Sequence, residues 1–342
     1  MPTTQRGRAR VDSVAPDANS AAGLLRMANM FCDAKALITA AELNLFGLLH
    51  ESPCTAEEIR DRLELHGRGL SDLLDLLVGI GVLDKTDRRY ANTAAVDRFL
   101  VPGPDYLGGF LVGAGVGLYP AYGRLAEALR TGKPQAAGSF DSMLDDPQAT
   151  GNFVRMMDGL SQGLVDELVR AIDWTGVRTV LDLGGCRGNV VGHLVRAHRS
   201  LTGTVLDLPA LQPFFDEHMT TLGVADRTSF VPGDVFSTPL PSAEVMIYGH
   251  VLSDWSPDER TVLLRRAADA LPSGGRLLVY DRMLGVGRNE VENLVASLNM
   301  LLMTEGGSEY SVAELAEQAA GLRLLGQQPL GDYDTLAVFV KD

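Results

Sequence analysis

From Ala21 to His50 apolar side chains fall nearly all round a helical repeat, among them Leu24, Leu25, Met27, Met30, Phe31, Leu37, Leu43 and Phe46. A helix apolar on every side must be covered on more than one. No core has yet been built at this point in the chain, so a partner subunit is the simplest cover for one continuous helix over Ala21–Phe46. Burial within a single subunit is the other reading. A different pattern follows. Thr55 and Glu58 have the T-x-x-E spacing of a capping box and predict a helix over AEEIRDRL. A second helix is predicted in GLSDLLDLLVGIGVL, where Leu70, Leu73, Leu74, Leu77 and Val78 recur at helical spacing. VLDKTDRRYANT reads as two short strands around a polar turn. Helix, helix, hairpin is a winged-helix pattern.

Residues 100–140 are rich in glycine, proline and aromatic side chains (Tyr106, Phe110, Tyr119, Tyr122, Phe140), which suits either a pocket wall or packed loops. A helix around NFVRMMDGLSQGLVDELVRAI leads onward. From Val177 the grammar changes: the apolar runs RTVLDLGG, TGTVLDLP, TSFVPGD, AEVMIYGH and GRLLVYD alternate with helical segments. That alternation predicts βαβ units and a parallel sheet. LRLLGQQPL and DTLAVFVKD close it as an antiparallel hairpin.

Composition narrows the partners. The 342 residues include 30 Lys+Arg and 44 Asp+Glu, a net charge of −14. Phosphate-rich or anionic surfaces demand clustered cations, so neither nucleic acid nor membrane is expected as a partner. The winged-helix segment agrees: residues 55–90 carry eight acids against six bases, whereas a DNA reader needs a basic recognition helix. No apolar run reaches the roughly 18–20 residues needed to span a bilayer. Residues 1–20 lack the apolar stretch of a secretory signal and read as a disordered tail. Cys32, Cys54 and Cys186 show no paired spacing, which places the chain in a reducing cytoplasm. No metal site is expected.

The chemistry starts at Val180-Leu181-Asp182-Leu183-Gly184-Gly185-Cys186-Arg187-Gly188. This is a buried strand ending in an acid and a glycine-rich turn. It is not a phosphate loop, because no Lys-Ser/Thr follows. An acid before the glycines repels a pyrophosphate and suits an ammonium. Asp207 ends the second strand, where a carboxylate can accept both hydroxyls of a ribose. Asp234 ends the third, where it can accept from an adenine amino group while Phe236 flanks the ring. A nucleoside with an amino-acid tail fits that description, and S-adenosylmethionine is such a molecule.

In the motifs LDLGGCRG, TVLDLP, VPGDVF, GHVLSDWSPDE and GGSEYS the chain resembles the S-adenosylmethionine-dependent O-methyltransferases that act on small molecules, the bacterial secondary-metabolite type included. The resemblance covers roughly residues 20–342. It implies a Rossmann-like class I methyltransferase sheet with a C-terminal antiparallel hairpin, an α/β fold preceded by an α-rich winged-helix dimerisation domain. The implied division is 21–100 for dimerisation, 101–175 for a helical linker and pocket wall, and 176–342 for the S-adenosylmethionine-binding domain. A homodimer acting on a small-molecule acceptor follows. Carried over by position, Asp182, Gly184 and Gly188 resemble the turn under the methionine part. Asp207 and Leu208 match the ribose position, and Asp234, Val235 and Phe236 the adenine position. Met157 and Ser161 fall where the family contacts the cofactor before the first strand. Gly249 stands where many relatives carry Lys or Arg, so only its backbone can contribute. Cys186 and Arg187 replace the more usual Gly and Thr. Met300 and Met303, in the segment 290–310, are expected to line the acceptor pocket.

One departure decides the mechanism. Many relatives read V-L-H-D-W, with the His as general base; this chain reads Val251-Leu252-Ser253-Asp254-Trp255. An unactivated serine cannot replace an imidazole. The acids Asp254, Asp281 and Glu309 surround this position in the family pattern, Asp281 being shorter than the usual Glu. Either His250 or Glu309 takes the proton, or orientation of the acceptor alone suffices, and the second is preferred. The missing His also leaves methylation at N or C, or a non-methylating reaction, as alternatives. From another class, a ligand-sensing winged-helix regulator is opposed by the acidic helix.

Overall fold

Two asparagines cut the N-terminal apolar run, which is therefore not the single helix expected. Asn29 separates α1 (Ala21–Ala28) from α2 (Met30–Glu42), and Asn44, with φ +54°, separates α2 from α3 (Leu45–Glu51). At Asn44 the side chain tolerates the left-handed region better than most; Asn29 stays right-handed, with its side-chain amide donating to the Leu25 carbonyl at 2.9 Å. The computed structural model describes residues 18–103, 106–138, 140–285, 287–288 and 290–342. The tail expected over residues 1–20 lies outside the described residues as far as residue 17. The chain divides into two units between Gly115 and Val116, within the segment read as a linker.

In the first unit β1 (Cys54–Thr55) leads into α4 (Ala56–Arg62), where Thr55 and Glu58 form the expected capping box. α5 (Leu70–Gly79), β2 (Leu83–Thr86) and β3 (Arg89–Asn92) complete a winged-helix arrangement with strand order β1-β3-β2. Asp87 and Arg88 both take positive φ, the turn that matches the twist of a two-residue hairpin. α6 (Ala94–Phe99) and α7 (Gly108–Val116) follow. Leu45, Phe46, Ile59, Leu74, Leu77 and Leu83 form the core. Leu24, Leu25, Met27, Met30 and Phe31 stay 46–65% exposed.

The second unit begins with α8 (Leu118–Tyr122), α9 (Leu125–Thr131) and α10 (Phe140–Leu144). α11 (Pro147–Ala171) starts on Pro147 with Asp146 as its cap. Then come β4 (Thr179–Leu183), α12 (Asn189–Ala197), β5 (Thr202–Asp207), α13 (Gln212–Leu222), β6 (Thr228–Pro232), β7 (Val245–Gly249), α14 (Pro257–Ala270) and β8 (Arg276–Asp281). α15 (Val291–Met303), α16 (Val312–Gln318), β9 (Arg323–Leu330) and β10 (Asp334–Val340) complete it. The seven strands run in the order β6-β5-β4-β7-β8-β10-β9, parallel except for β10, which pairs antiparallel with both neighbours. This is the sheet with a C-terminal hairpin that the sequence predicts. Its central strands are apolar on both faces, as helix-covered parallel strands must be. Val180, Ile247 and Leu278 join the core of α11 and α12, while Leu181, Met246 and Leu277 join that of α14 and α16. Among the described residues no helix is long and apolar enough to cross a membrane.

Candidate active site

The parallel strands end together, so the segments that follow β4, β5, β6 and β7 share one edge of the sheet. In open α/β sheets ligands bind at this carboxyl edge. After β4 the backbone turns sharply, with positive φ at Gly184, Cys186 and Gly188. A Cβ on Gly184 would lie 2.8 Å from Val251, and one on Gly188 would lie 2.9 Å from Phe215. Both positions are therefore closed to larger residues. Cys186 holds its left-handed conformation through its N–H, which donates to Asp207 Oδ2 at 2.7 Å. Burial pushes its thiol up, so it is no reactive thiolate. Arg187 reaches back to α11 and grips Asp158, its Nε donating to Oδ1 at 2.9 Å and its Nη2 ion-paired with Oδ2 at 2.6 Å. The departure at 186–187 thus ties the turn to α11.

On that helix Met157 is half-buried. Ser161 accepts from Asn189 Nδ2 at 3.0 Å, and Asn189 Oδ1 bonds His218 at 3.1 Å. Asp207 also accepts from the Leu208 N–H at 2.7 Å, so each of its oxygens is already aimed by a backbone donor. Burial raises its carboxyl to about 6, against the lowering effect of those bonds. Asp182 is 3% exposed and has no hydrogen-bond partner among the described residues; burial, then the Asp207 charge, pushes it up to about 7. Asp234 is exposed at the end of β6 and accepts from the Phe236 N–H at 2.8 Å. Val235 accepts from Arg266, and Phe236 stands edge-on to Trp255 at 4.6 Å.

A second group gathers after β7. The Ser253 hydroxyl donates to Asp281 Oδ1 at 3.1 Å, and Tyr310 donates to Oδ2. The Gly306-Gly307 pair makes this possible: a Cβ on Gly307 would lie 2.5 Å from the Ser253 carbonyl. Glu309 follows, 6% exposed, with Oε2 lacking any partner among the described residues. Burial and then the charges of Asp281, Asp334 and Asp254 push it up to about 9, so it is a neutral acid at pH 7 and a hydrogen-bond donor. Asp254 opens to solvent yet is ringed by protein. That confinement, then Asp281, raises it to about 7. His250 is not free: its Nε2 lies 2.6 Å from Asp334 Oδ1. Burial alone would lower its pKa, but Asp334 holds it above the ordinary value. α15 lies beside the Leu252–Asp254 turn, with Met300 partly buried and Met303 43% exposed. Among the described residues no His, Cys, Asp and Glu cluster is arranged to hold a metal.

The geometry acquires a context from comparison. Residues 25–102 match the O-methyltransferase dimerisation domain and residues 122–322 the O-methyltransferase domain. The chain is 41% identical over 322 residues to the tetracenomycin polyketide synthesis 8-O-methyl transferase TcmO of Streptomyces glaucescens, a match covering 92% of this chain and 95% of that one. This chain belongs to the O-methyltransferase family. It is also 37% identical to the N,N-dimethyltransferase OxyT of Streptomyces rimosus, over 93% of this chain and 96% of that protein. The solved mitomycin 7-O-methyltransferase MmcR superposes with a TM-score of 0.84 at 31% identity, covering 93% of this chain and 97% of that one. PigF, solved with S-adenosylhomocysteine, superposes with 0.85 at 28%, covering 94% and 100%. In this O-methyltransferase the sequence missed Asp158, Tyr310 and Asp334. Tyr310 stands inside the motif GGSEYS and Asp334 opens an apolar strand, whereas Asp158 carried no local signal.

Proposed function

We propose that this O-methyltransferase moves a methyl group from S-adenosylmethionine to a hydroxyl of an aromatic, polyketide-like small molecule, as a homodimer of secondary metabolism. The observation that carries the reading is the pairing of unpartnered Asp182 with the oriented Asp207 at the ends of adjacent strands. A ligand with an ammonium at one end and a ribose diol beyond fits those carboxylates, and the glycine turn leaves room for its close approach. Asp234 and Phe236 take the adenine edge and face, beside Val235 and Leu208, while Met157 and Ser161 approach from α11. The sulfonium supplies an activated methyl.

The acceptor is held by the second group. Ser253 cannot remove its proton, and Glu309 keeps its own proton below about pH 9. Glu309 therefore donates to an acceptor oxygen, Asp254 faces it from the open side, and Met300 and Met303 supply apolar walls. His250 has its Nε2 engaged by Asp334, and on this reading orientation of the acceptor, rather than a dedicated base, carries the step. Orientation alone can supply on the order of 7–11 kcal/mol at the favourable extreme, enough for a phenol or enol that ionises readily. The test is incubation with S-adenosylmethionine and a panel of phenolic, enolic and amine-bearing aromatics, with mass spectrometry for a gain of one methyl group. Methylated hydroxyls support the reading; exclusive methylation of amines overturns it.

A further inference from the structure

Tyr280 lies opposite Gly249 in the β7–β8 pairing, and its phenol leans over that glycine. A Cβ on Gly249 would sit 2.1 Å from both Tyr280 Cζ and its hydroxyl oxygen. The ring occupies the space a side chain at 249 would need. On the same face β4 contributes Asp182, level with Ile247 of β7. Both groups are buried, at 4% and 3% exposure, and neither finds a hydrogen-bond partner among the described residues. A buried tyrosine hydroxyl ordinarily has one. The Asp182 charge acts on the phenol, yet the two do not bond to each other. A donor and an acceptor stand close, both unused, at the carboxyl edge of the sheet.

The phenol is also held in place. The His250 ring stands edge-on to it at 5.2 Å, and the His250 N–H donates to the Tyr280 carbonyl at 3.0 Å. Asp334 fixes the imidazole in turn. A side chain so braced, with its polar end unsatisfied, is preorganised for a ligand.

The geometry points to Tyr280 as a binding residue for the amino-acid end of the methyl donor: its hydroxyl donates to the α-carboxylate while Asp182 accepts from the ammonium. The assignment rests on the placement of the donor at Asp182 and Asp207. A neutral phenol can donate to a carboxylate without adding charge, and it answers the one donor-poor feature of a site otherwise lined by acids.

The experiment is calorimetry on Tyr280→Phe, which keeps the ring and its packing. S-adenosylhomocysteine carries the amino-acid end; 5′-methylthioadenosine has the same nucleoside without it. Loss of a hydrogen bond to a charged group should weaken S-adenosylhomocysteine about tenfold or more, with 5′-methylthioadenosine unchanged. Unchanged S-adenosylhomocysteine affinity, or an equal loss for both ligands, overturns the assignment. Should the variant not fold, the wild-type protein can still refute the assignment: decarboxylated S-adenosylhomocysteine binding as tightly as the parent overturns it. Asp207→Ala separates the levels. If it weakens both nucleosides while Tyr280→Phe spares both, only the role of Tyr280 falls; if it weakens neither, the placement of the donor falls too.

Discussion

Ser253 donates its hydroxyl to Asp281 at 3.1 Å, tying the turn after β7 to the end of β8. The serine thus satisfies one oxygen of a fully buried carboxylate and leaves the other to Tyr310. On our proposal it stabilises an acid and moves no proton. We expect Ser253→Ala to lower thermal stability by about 1 kcal/mol while turnover stays within about threefold. A loss on the order of a hundredfold, with ligand binding intact, would assign a proton-transfer role to the hydroxyl.

The His250–Asp334 contact reads as a brace between the end of β7 and the start of β10. We expect His250→Ala to cut turnover only modestly, well short of the ~10²–10⁴-fold typical of a lost general base. Its cost should appear in the melting temperature, with a sign set by linkage. The imidazole is held above its ordinary value, so the pair's contribution is full below about pH 6.5 and fades as pH rises through the raised value. The stability gap between wild type and variant should therefore be wider at pH 6 than at pH 9.

Glu309 has the opposite consequence. Its carboxyl is raised from 4.5 to about 9, so its linkage term favours the folded protein most below pH 4.5. That stability is lost progressively as pH rises to 9. Glu309→Gln removes the ionisation. The ligand-free variant should be more stable than wild type at pH 8–9, by on the order of 2–4 kcal/mol. Parallel melting curves across pH 6–9 would contradict this.

At the carboxyl edge, Asp207→Ala removes a carboxylate already aimed by two backbone N–H groups. Calorimetry with S-adenosylhomocysteine should show binding weakened at least about tenfold, the worth of a charge-assisted hydrogen bond.

The exposed row of Leu24, Leu25, Met27, Met30 and Phe31 is too apolar to face water in a stable monomer. We expect α1 and α2 to bury it against a second copy. Phe31→Asp should shift light scattering toward the monomer mass at micromolar concentration, and an unshifted dimer would place the interface elsewhere.

The sheet was legible because its cues are local. Each strand from Val180 to Asp281 is an apolar run stopped by an acid or a glycine, and runs of that kind state both the element and its end. The capping box at Thr55 was equally plain. The helix breaks at Asn29 and Asn44 were not, because asparagine is compatible with a helix until its neighbours choose otherwise. Tyr310 and Asp334 escaped for another reason. Asp334 meets His250 only after β10 inserts beside β8, a pairing of residues more than fifty positions apart, and Tyr310 reaches Asp281 from the loop before α16. Arg187 was visible as a departure, but its partner Asp158 lies on a helix whose rotation no spacing rule sets.

The contact between Tyr280 and Gly249 also constrains how this protein can change. Any side chain at 249 must first displace a ring that His250 and Asp334 hold still. Shortening Tyr280 alone leaves a buried void, and enlarging Gly249 alone forces a collision, so each step is harmful without the other. The two substitutions should be strongly non-additive. A lineage moving between a glycine and any larger residue at 249 would therefore have to cross a valley in stability, with both intermediates less fit than either end.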